Sequence, residues 1–363
     1  MRDDERNNVL ESLDLYSQGD LKRLVSELVS REVVSKGNDI FDHDNPIERI
    51  MTIFDQNTQE VKSVIEEVEL DSIFKYGTLF KMTNEVEIAE SFFAPVNKNS
   101  HDLSAPLKPT LHEIDGVYIL KFTKILEGAS LDSEGDPIKS IARYPMIAMF
   151  YPKSNMVEIR VNATSSILQN RENNFYYNRI NDIKTEVETQ YGIELEPIDL
   201  YQLVEDIERE VGQDKGSEEL NSPKVSSQKM HMSSGGQATL DSGYDTEDII
   251  LPILGELKNI ITDNQDLFEE SDTGTKIREL LNDFIKDTEE TSDLPWRSLR
   301  WYNNVKAKTL QVKFLFDHDT NRDFTMMQLY YNSRKMEGMI YVSKYLINKF
   351  EQYYGKNDPT TTS

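Results

Sequence analysis

The sequence predicts an α+β protein with a helical N-terminal unit and two further domains, and three observations support this fold class. The chain has 363 residues, which is enough for more than one domain of ordinary size. Apolar residues recur at helical spacing over the first hundred residues, and two later stretches alternate at strand spacing before a helical pattern. A run rich in Gly and Ser separates those two stretches.

Residues 1–100 are predicted to be a helical unit. Asp20 is a candidate N-cap, because the residues after it repeat at spacings of three and four. Asn45, Pro46 and Glu48 combine an N-cap, a proline at the first helical position and a capping-box glutamate. The apolar positions that follow these two starts are Leu21, Leu24, Val25, Leu28, Ile47, Ile50, Met51 and Phe54.

Residues 110–211 are predicted to form the first α+β domain. The pair at 115–116 is Asp-Gly, which is typical of a turn that opens a strand. An apolar strand-like run over 141–150 is followed by a polar turn, and apolar and polar residues alternate over 157–161, which predicts a hairpin with one half-buried face. A helix is predicted over 172–191, and Gly192 ends it as the C′ residue.

Residues 212–244 are predicted to be a disordered linker, because they show no apolar period and could not bury enough surface to offset their ordering entropy. A second α+β domain is predicted over 245–355, and 356–363 would be a frayed tail. The elements expected in the second domain are helices over 247–261 and 275–285, strands over 310–316 and 324–331, and a closing helix over 334–354.

Composition excludes several kinds of chemistry. The chain has no cysteine, so disulfides, thiolate zinc sites, iron–sulfur clusters and cysteine nucleophiles are excluded. Phosphate-binding glycine loops are also missing, and no cofactor is expected. No apolar run reaches the roughly 18–20 residues of a membrane span, and the charged N-terminus is unlike a signal peptide. We therefore expect a cytoplasmic protein without a membrane partner, with a net charge of −25 that serves solubility.

Three carboxylates of the first α+β domain are candidates for metal-dependent hydrolysis. Glu158 and Arg160 lie on a predicted strand, and Glu113 and Asp115 precede them. Two carboxylates can hold Mg²⁺ while a nearby cation orients water, although such sites usually carry Lys where this chain has Arg160. The alternative interpretation is a cross-strand ion pair on an exposed sheet face.

The polar segment after residue 316 is a candidate calcium loop. Oxygen-bearing side chains at alternate positions resemble the first half of an EF-hand loop. The pattern departs from that loop because Arg322 replaces the glycine, Gln328 replaces the final glutamate, and the flanks are predicted strands. The sequence favours a hairpin turn instead. The candidate ligands are Asp317, Asp319, Asn321 and Asp323.

Charge asymmetry near the C-terminus carries the most specific functional hypothesis. Residues 241–295 have a net charge of −12, whereas residues 296–350 have a net charge of +6 and many aromatic residues. Basic and aromatic side chains together suit phosphate contact and base stacking. The alternative is that the basic stretch pairs with the acidic helices or with a protein partner. The candidate binding residues are Arg297, Arg300, Trp301, Lys306, Lys308 and Lys313.

These observations predict a soluble, non-enzymatic binding protein. We expect an accessory subunit of a prokaryotic multi-protein or nucleic-acid-associated system, acting in regulation or antiviral defence. A protein partner is expected, and nucleic acid would bind through 296–350. The alternative function is a metal-dependent hydrolase or nuclease that uses the carboxylates of the first α+β domain.

Overall fold

A computed structural model gives the fold. It describes residues 2–13, 16–33, 44–84, 86–94, 109–131, 134–213, 223–231, 237–241, 257, 260–291, 293–303, 308–316, 323–332 and 335–355. Helices and antiparallel sheet are both extensive, which confirms the α+β class. The chain divides into two compact units: unit 1 contains Met1–Ile198 and Lys335–Ile347, and unit 2 contains Asp199–Arg334 and Asn348–Ser363.

Unit 1 begins with helices that share one apolar core. Ser17 caps the second helix, because its Oγ accepts from the backbone N–H of Asp20 at 3.1 Å, so the predicted cap at Asp20 lies three residues too late. The predicted cap at Asn45 is confirmed, since its Oδ1 accepts from the N–H of Ile47 at 2.9 Å. The helices are α1 (Arg2–Leu13), α2 (Gln18–Ser30), α3 (Pro46–Gln56) and α4 (Thr58–Leu70).

An antiparallel sheet follows in unit 1. Its strand order is β2-β3-β4-β5-β1, and β6 pairs with the other side of β1. The strands are β1 (Tyr76–Met82), β2 (Thr110–Ile114), β3 (Val117–Leu131), β4 (Pro137–Tyr151), β5 (Met156–Val161) and β6 (Leu195–Pro197). The helical unit predicted over 1–100 therefore ends early, because β1 is held as a strand by its long-range pairing with β5.

The two faces of this sheet carry different side chains. Strand pairing places Lys121, Arg143, Glu158 and Arg160 on one face, which packs against α1 and α4. The opposite face is apolar and contacts α5 (Phe175–Tyr191), which ends at Gly192 with a φ of 64° as predicted. Helix α9 (Lys335–Tyr354) contributes its residues up to Ile347 to unit 1.

Unit 2 contains a second antiparallel arrangement in the order β11-β10-β9-β7-β8. Its strands are β7 (Lys224–His231), β8 (Gln237–Asp241), β9 (Asp293–Asn303), β10 (Lys308–Leu315) and β11 (Met326–Asn332). Its helices are α6 (Leu200–Gln213), α7 (Gln265–Glu269), α8 (Asp272–Thr291) and the last residues of α9.

Strands β7 and β8 differ from the disordered linker predicted over 212–244. The buried, alternating positions of β7 are Ser226, Gln228 and Met230, and two of these three residues are polar. These polar groups are partnered: Gln311 donates to the Oγ of Ser226 at 2.9 Å. A search of the sequence for alternating apolar residues therefore does not detect this strand. Residues 214–222, 232–236 and 242–244 of the predicted linker, and the tail 356–363, lie outside the described residues.

Candidate functional site

The three candidate catalytic carboxylates do not converge. Glu113 on β2 and Asp115 in the following turn are exposed. Glu158 is fully buried on β5. Pairing across the sheet puts Glu113 on the face of Val157, and the next residue, Glu158, points to the opposite face. These carboxylates therefore form no common metal site in the described structure.

Glu158 and Arg160 form a buried ion pair rather than the exposed cross-strand pair that was the alternative interpretation. The Tyr151 hydroxyl donates to Oε2 of Glu158 at 2.9 Å, and burial together with the charge of Glu158 raises the pKa of Tyr151. Gly77 makes room for this pair, since a Cβ there would lie 2.5 Å from Cγ of Arg160. Among the described residues, Nη1 and Nη2 of Arg160 have no hydrogen-bond partner.

A larger buried network, which the sequence analysis does not predict, lies on the same sheet face. We call Glu66, Glu69, Lys121 and Arg143 the charge tetrad. Lys121 Nζ lies 2.7 Å from Oε2 of Glu69, and Arg143 Nε lies 2.7 Å from Oε1 of Glu69. Arg143 Nη2 lies 2.6 Å from Glu66, which also pairs with Lys121, so the two positive and two negative charges balance. The network joins α4 to β3 and β4 and is structural.

The electrostatics of the charge tetrad are dominated by Glu69. Burial raises the pKa of a carboxyl group, but Arg143 and Lys121 outweigh burial and hold the pKa of Glu69 well below its usual range. Tyr16 donates to Oε1 of Glu69 at 2.6 Å, and its own pKa is raised by burial and by that carboxylate. One feature of the sequence could have indicated the charge tetrad: a charged residue, Lys121, at an inward position of an otherwise apolar strand.

Three of the six candidate nucleic-acid residues, Arg297, Trp301 and Lys313, are buried or contact neighbours within unit 2. Arg297 is 7% exposed; its Nε donates to Gln228 at 3.1 Å and its Nη1 pairs with Glu208 of α6. Trp301 is 2% exposed, so its ring has no open face for a base. Lys313 lies over the ring of Trp296 with Nζ 3.7 Å from the centroid, and burial and Lys229 lower its pKa.

Of the remaining basic candidates, only Arg300 has its side chain within the described part of the chain. Arg300 on β9 is half-buried and has interactions within the protein. Lys306 lies outside the described residues. Lys308 begins β10, but its side chain is outside the described part of the chain.

The candidate calcium loop connects two paired strands. Leu315 of β10 faces Met326 of β11 in the antiparallel ladder, as the hairpin interpretation predicts for the flanks. Asp317, Asp319 and Asn321 lie outside the described residues, and Asp323 is exposed. Within the described ranges, no group of three or more His, Asp or Glu side chains could hold a metal ion.

Helices α7 and α8 form a hairpin with a small core of its own. Ile261 and Ile285 are buried, and Leu257, Phe268 and Leu281 pack against them. Gly274 allows the close approach of the two helices, because a Cβ there would lie 2.5 Å from the carbonyl oxygen of Phe268. Arg278 of α8 pairs with Glu269 of α7 at 2.8 Å. We call residues 260–285 the α7–α8 hairpin.

The α7–α8 hairpin also exposes large apolar side chains. Ile277, Leu280 and Phe284 follow one another at spacings of three and four, so they lie on one face of α8, and we call them the apolar stripe. The exposed fractions on the hairpin are 53% for Ile260, 64% for Leu267, 47% for Ile277, 69% for Leu280 and 56% for Phe284. This is the candidate functional surface that the geometry favours.

Comparisons with known proteins add no family to this description. None of the described helices combines the length and apolar character that a membrane span requires. No protein-family model matches the chain, and no curated protein matches it in sequence.

Proposed function

We propose that this is a non-enzymatic accessory protein that binds a protein partner through the apolar stripe of the α7–α8 hairpin. One observation carries the proposal: the stripe is exposed although the hairpin already has a packed core. Scattered single apolar residues on a surface need no explanation, but a contiguous group on one helix face is typical of a docking site.

The energetics favour docking. Full burial of an exposed Leu or Phe side chain contributes about 1.5–3 kcal/mol, and each stripe residue, which is 47–69% exposed, can contribute the corresponding part of this when a partner covers it. The internal contacts of the hairpin, at Gly274 and between Arg278 and Glu269, fix the stripe before binding. A fixed surface loses little conformational entropy when a partner docks.

Nucleic-acid binding through 296–350 has less support than protein binding. Two of the six candidate residues for that hypothesis, Arg297 and Trp301, have side chains that are buried within unit 2. The hydrolase alternative relies on Glu113, Asp115 and Glu158, and pairing across the sheet places Glu113 and Glu158 on opposite faces. The wider role in regulation or antiviral defence depends on the identity of the partner.

Site-specific photo-crosslinking tests the proposal. A photo-crosslinking amino acid is placed at Leu280 in the stripe, or at the control position Asn282, which is exposed on the same helix but about 160° away from Leu280 around its axis. We expect position 280 to crosslink one defined protein in host cells, and position 282 to give little of that adduct. The crosslinked protein is then purified and its binding measured by calorimetry against wild type and Leu280→Ser.

Binding that falls at least tenfold in Leu280→Ser would support the proposal. Equal adducts at positions 280 and 282, or calorimetric binding that Leu280→Ser leaves unchanged, would show that the stripe is not the docking surface.

A further inference from the structure

We infer that the apolar stripe receives a cationic amphipathic helix from a different protein. This inference rests on the proposed function and specifies the chemistry of the partner.

The charges around the stripe are predominantly negative. Asp283 and Glu279 flank Leu280 on α8, where Lys276 is the neighbouring cation. Over residues 260–285 the net charge is −5, and Arg278 is already engaged with Glu269. The exposed acidic residues of the hairpin are Asp263, Asp266, Glu269, Glu270, Asp272, Glu279 and Asp283. A partner that covers the stripe brings its own polar groups close to Glu279 and Asp283, and Lys or Arg there would be attracted.

The backbone of the hairpin favours a helix as the docking element. Inside α8, the N–H and C=O groups are used in helical hydrogen bonds, so the hairpin presents no strand edge to which a partner strand could be added. Recognition must therefore occur through side chains. A stripe with spacings of three and four is matched by the same spacing on a second helix, since ridges of one helix pack into grooves of another.

A second copy of this chain is a poor occupant of the surface. Two hairpins stacked stripe to stripe would bring two surfaces of net charge −5 together, on chains that each carry a net charge of −25. Like charges at an interface suppress association, and the effect is strongest at low salt. A cationic partner avoids this repulsion, and its positive charges are attracted to the carboxylates around the stripe.

Two synthetic peptides test the inference. Both are 18-residue helix formers with Leu at helical spacing; one has Lys and Arg at all polar positions, and the other has Glu. Binding to the full-length protein is measured by fluorescence anisotropy in low and high salt. The variants are Ile277→Ser with Leu280→Ser in the stripe, and Leu131→Ser as a control, because Leu131 is 70% exposed on β3.

We expect the cationic peptide to bind wild type and Leu131→Ser alike, and the stripe variant at least tenfold more weakly. Binding should weaken in high salt without disappearing, because the apolar contact is not screened. The acidic peptide should not bind.

Each other outcome overturns the inference. If the acidic peptide binds equally and in a stripe-dependent manner, the partner class is wrong while the docking function stands. If cationic binding is unchanged by Ile277→Ser with Leu280→Ser, attraction is to overall charge, and the proposed function loses support as well. If wild type self-associates in analytical ultracentrifugation and the stripe variant does not, the occupant is a second copy.

Discussion

The charged sheet face of unit 1 and the α7–α8 hairpin of unit 2 depart from the ordinary protein pattern in opposite directions. In unit 1, charged side chains are inside: Lys121 and Arg143 are buried and each contacts two carboxylates. On the hairpin, apolar side chains are outside, and Leu280 is 69% exposed. Usually charges stay in water and large apolar groups leave it.

The two regions differ in how far the fold buries their unusual groups. The charge tetrad is neutral in sum and hydrogen-bonded, so it is complete without a ligand. The apolar stripe remains exposed after the hairpin has packed its own core. Large apolar side chains that stay exposed beside a packed core therefore indicate a binding surface more directly than buried, neutralised charges do.

The largest effect is expected for Glu69→Ala in the charge tetrad. This change leaves Arg143 and Lys121 with Glu66 as their one remaining tetrad carboxylate, so one of the two buried positive charges is no longer balanced. We expect the free energy of unfolding to fall by about 3–5 kcal/mol in urea denaturation. Glu67→Ala is the matched control, because Glu67 lies two residues earlier on α4 and pairs with Arg31 at the surface, so its loss should cost less than about 1 kcal/mol. Equal losses in the two variants would contradict the contrast.

The pH dependence of stability should report the same network. The pKa of Glu69 is lower in the folded protein than in the unfolded chain. Its contribution to stability is therefore complete above the unfolded pKa of about 4.3, and it is lost as pH falls through the lower, folded pKa. We expect the melting temperature to fall more steeply below about pH 4.5 in wild type than in Glu69→Gln. Parallel curves for the two proteins would show that Glu69 is not held ionised.

Gly77→Ala tests the second buried pair on the same face. The added Cβ would lie 2.5 Å from Cγ of Arg160 and 2.7 Å from the carbonyl oxygen of Ile159. We expect a loss of about 1–3 kcal/mol in the free energy of unfolding, since the strand backbone must shift. Gly19→Ala is the control: it lies in α2 with ordinary spacing to its neighbours, and Ala there should be neutral or stabilising by up to about 1 kcal/mol.

Arg297→Ala separates a structural role from nucleic-acid contact. The guanidinium pairs with Glu208, which is partly exposed, and with Gln228, so we expect a loss of about 1–2 kcal/mol in denaturant titration. Lys276→Ala on the hairpin surface should change stability by less than about 0.5 kcal/mol. Filter binding of wild type at low salt should retain neither DNA nor RNA. Retention that Arg297→Ala abolishes without loss of stability would restore the nucleic-acid hypothesis.

Local signals in the sequence predicted local structure well. The cap at Asn45 and the helix end at Gly192 follow from the residues at those positions, and both are present. Strand β1 was missed because its conformation depends on β5, about eighty residues later. Strand β7 was missed because Ser226 and Gln228 occupy its buried positions, and their hydrogen bonds come from other strands.

The candidate site was harder to predict than the fold. The charge tetrad joins Glu66 to Arg143, and no local pattern links residues so distant in sequence. The spacing of α8 predicted a helix over 275–285, but an apolar stripe ordinarily faces a core. Only the three-dimensional arrangement shows that Leu281 and Ile285 serve the core of the hairpin and that Leu280 does not. In the basic and aromatic segment 296–350, the composition suggested an exposed binding surface, but the side chains of Arg297 and Trp301 are buried.

The smallest effect on stability is expected for Leu280→Ser, and this is the most direct test of the contrast. Truncating a buried Leu costs about 2–5 kcal/mol, because apolar contacts are lost and a cavity is left. Leu280 is 69% exposed, so most of its surface is in water in the folded protein and little is lost. We expect a change within about 0.5 kcal/mol, measured by urea denaturation of the isolated protein.

Leu281→Ser, one residue further along α8, is the matched control. Its side chain packs against Ile261 and Ile285, and the same chemical change there should destabilise the hairpin. Hydrogen exchange of the α8 amides gives a local readout, since opening of one hairpin need not unfold the whole chain. Faster exchange in Leu281→Ser with unchanged exchange in Leu280→Ser is the expected result. If Leu280→Ser accelerated exchange as much, the stripe would be part of the fold, and it would no longer be a surface left for a partner.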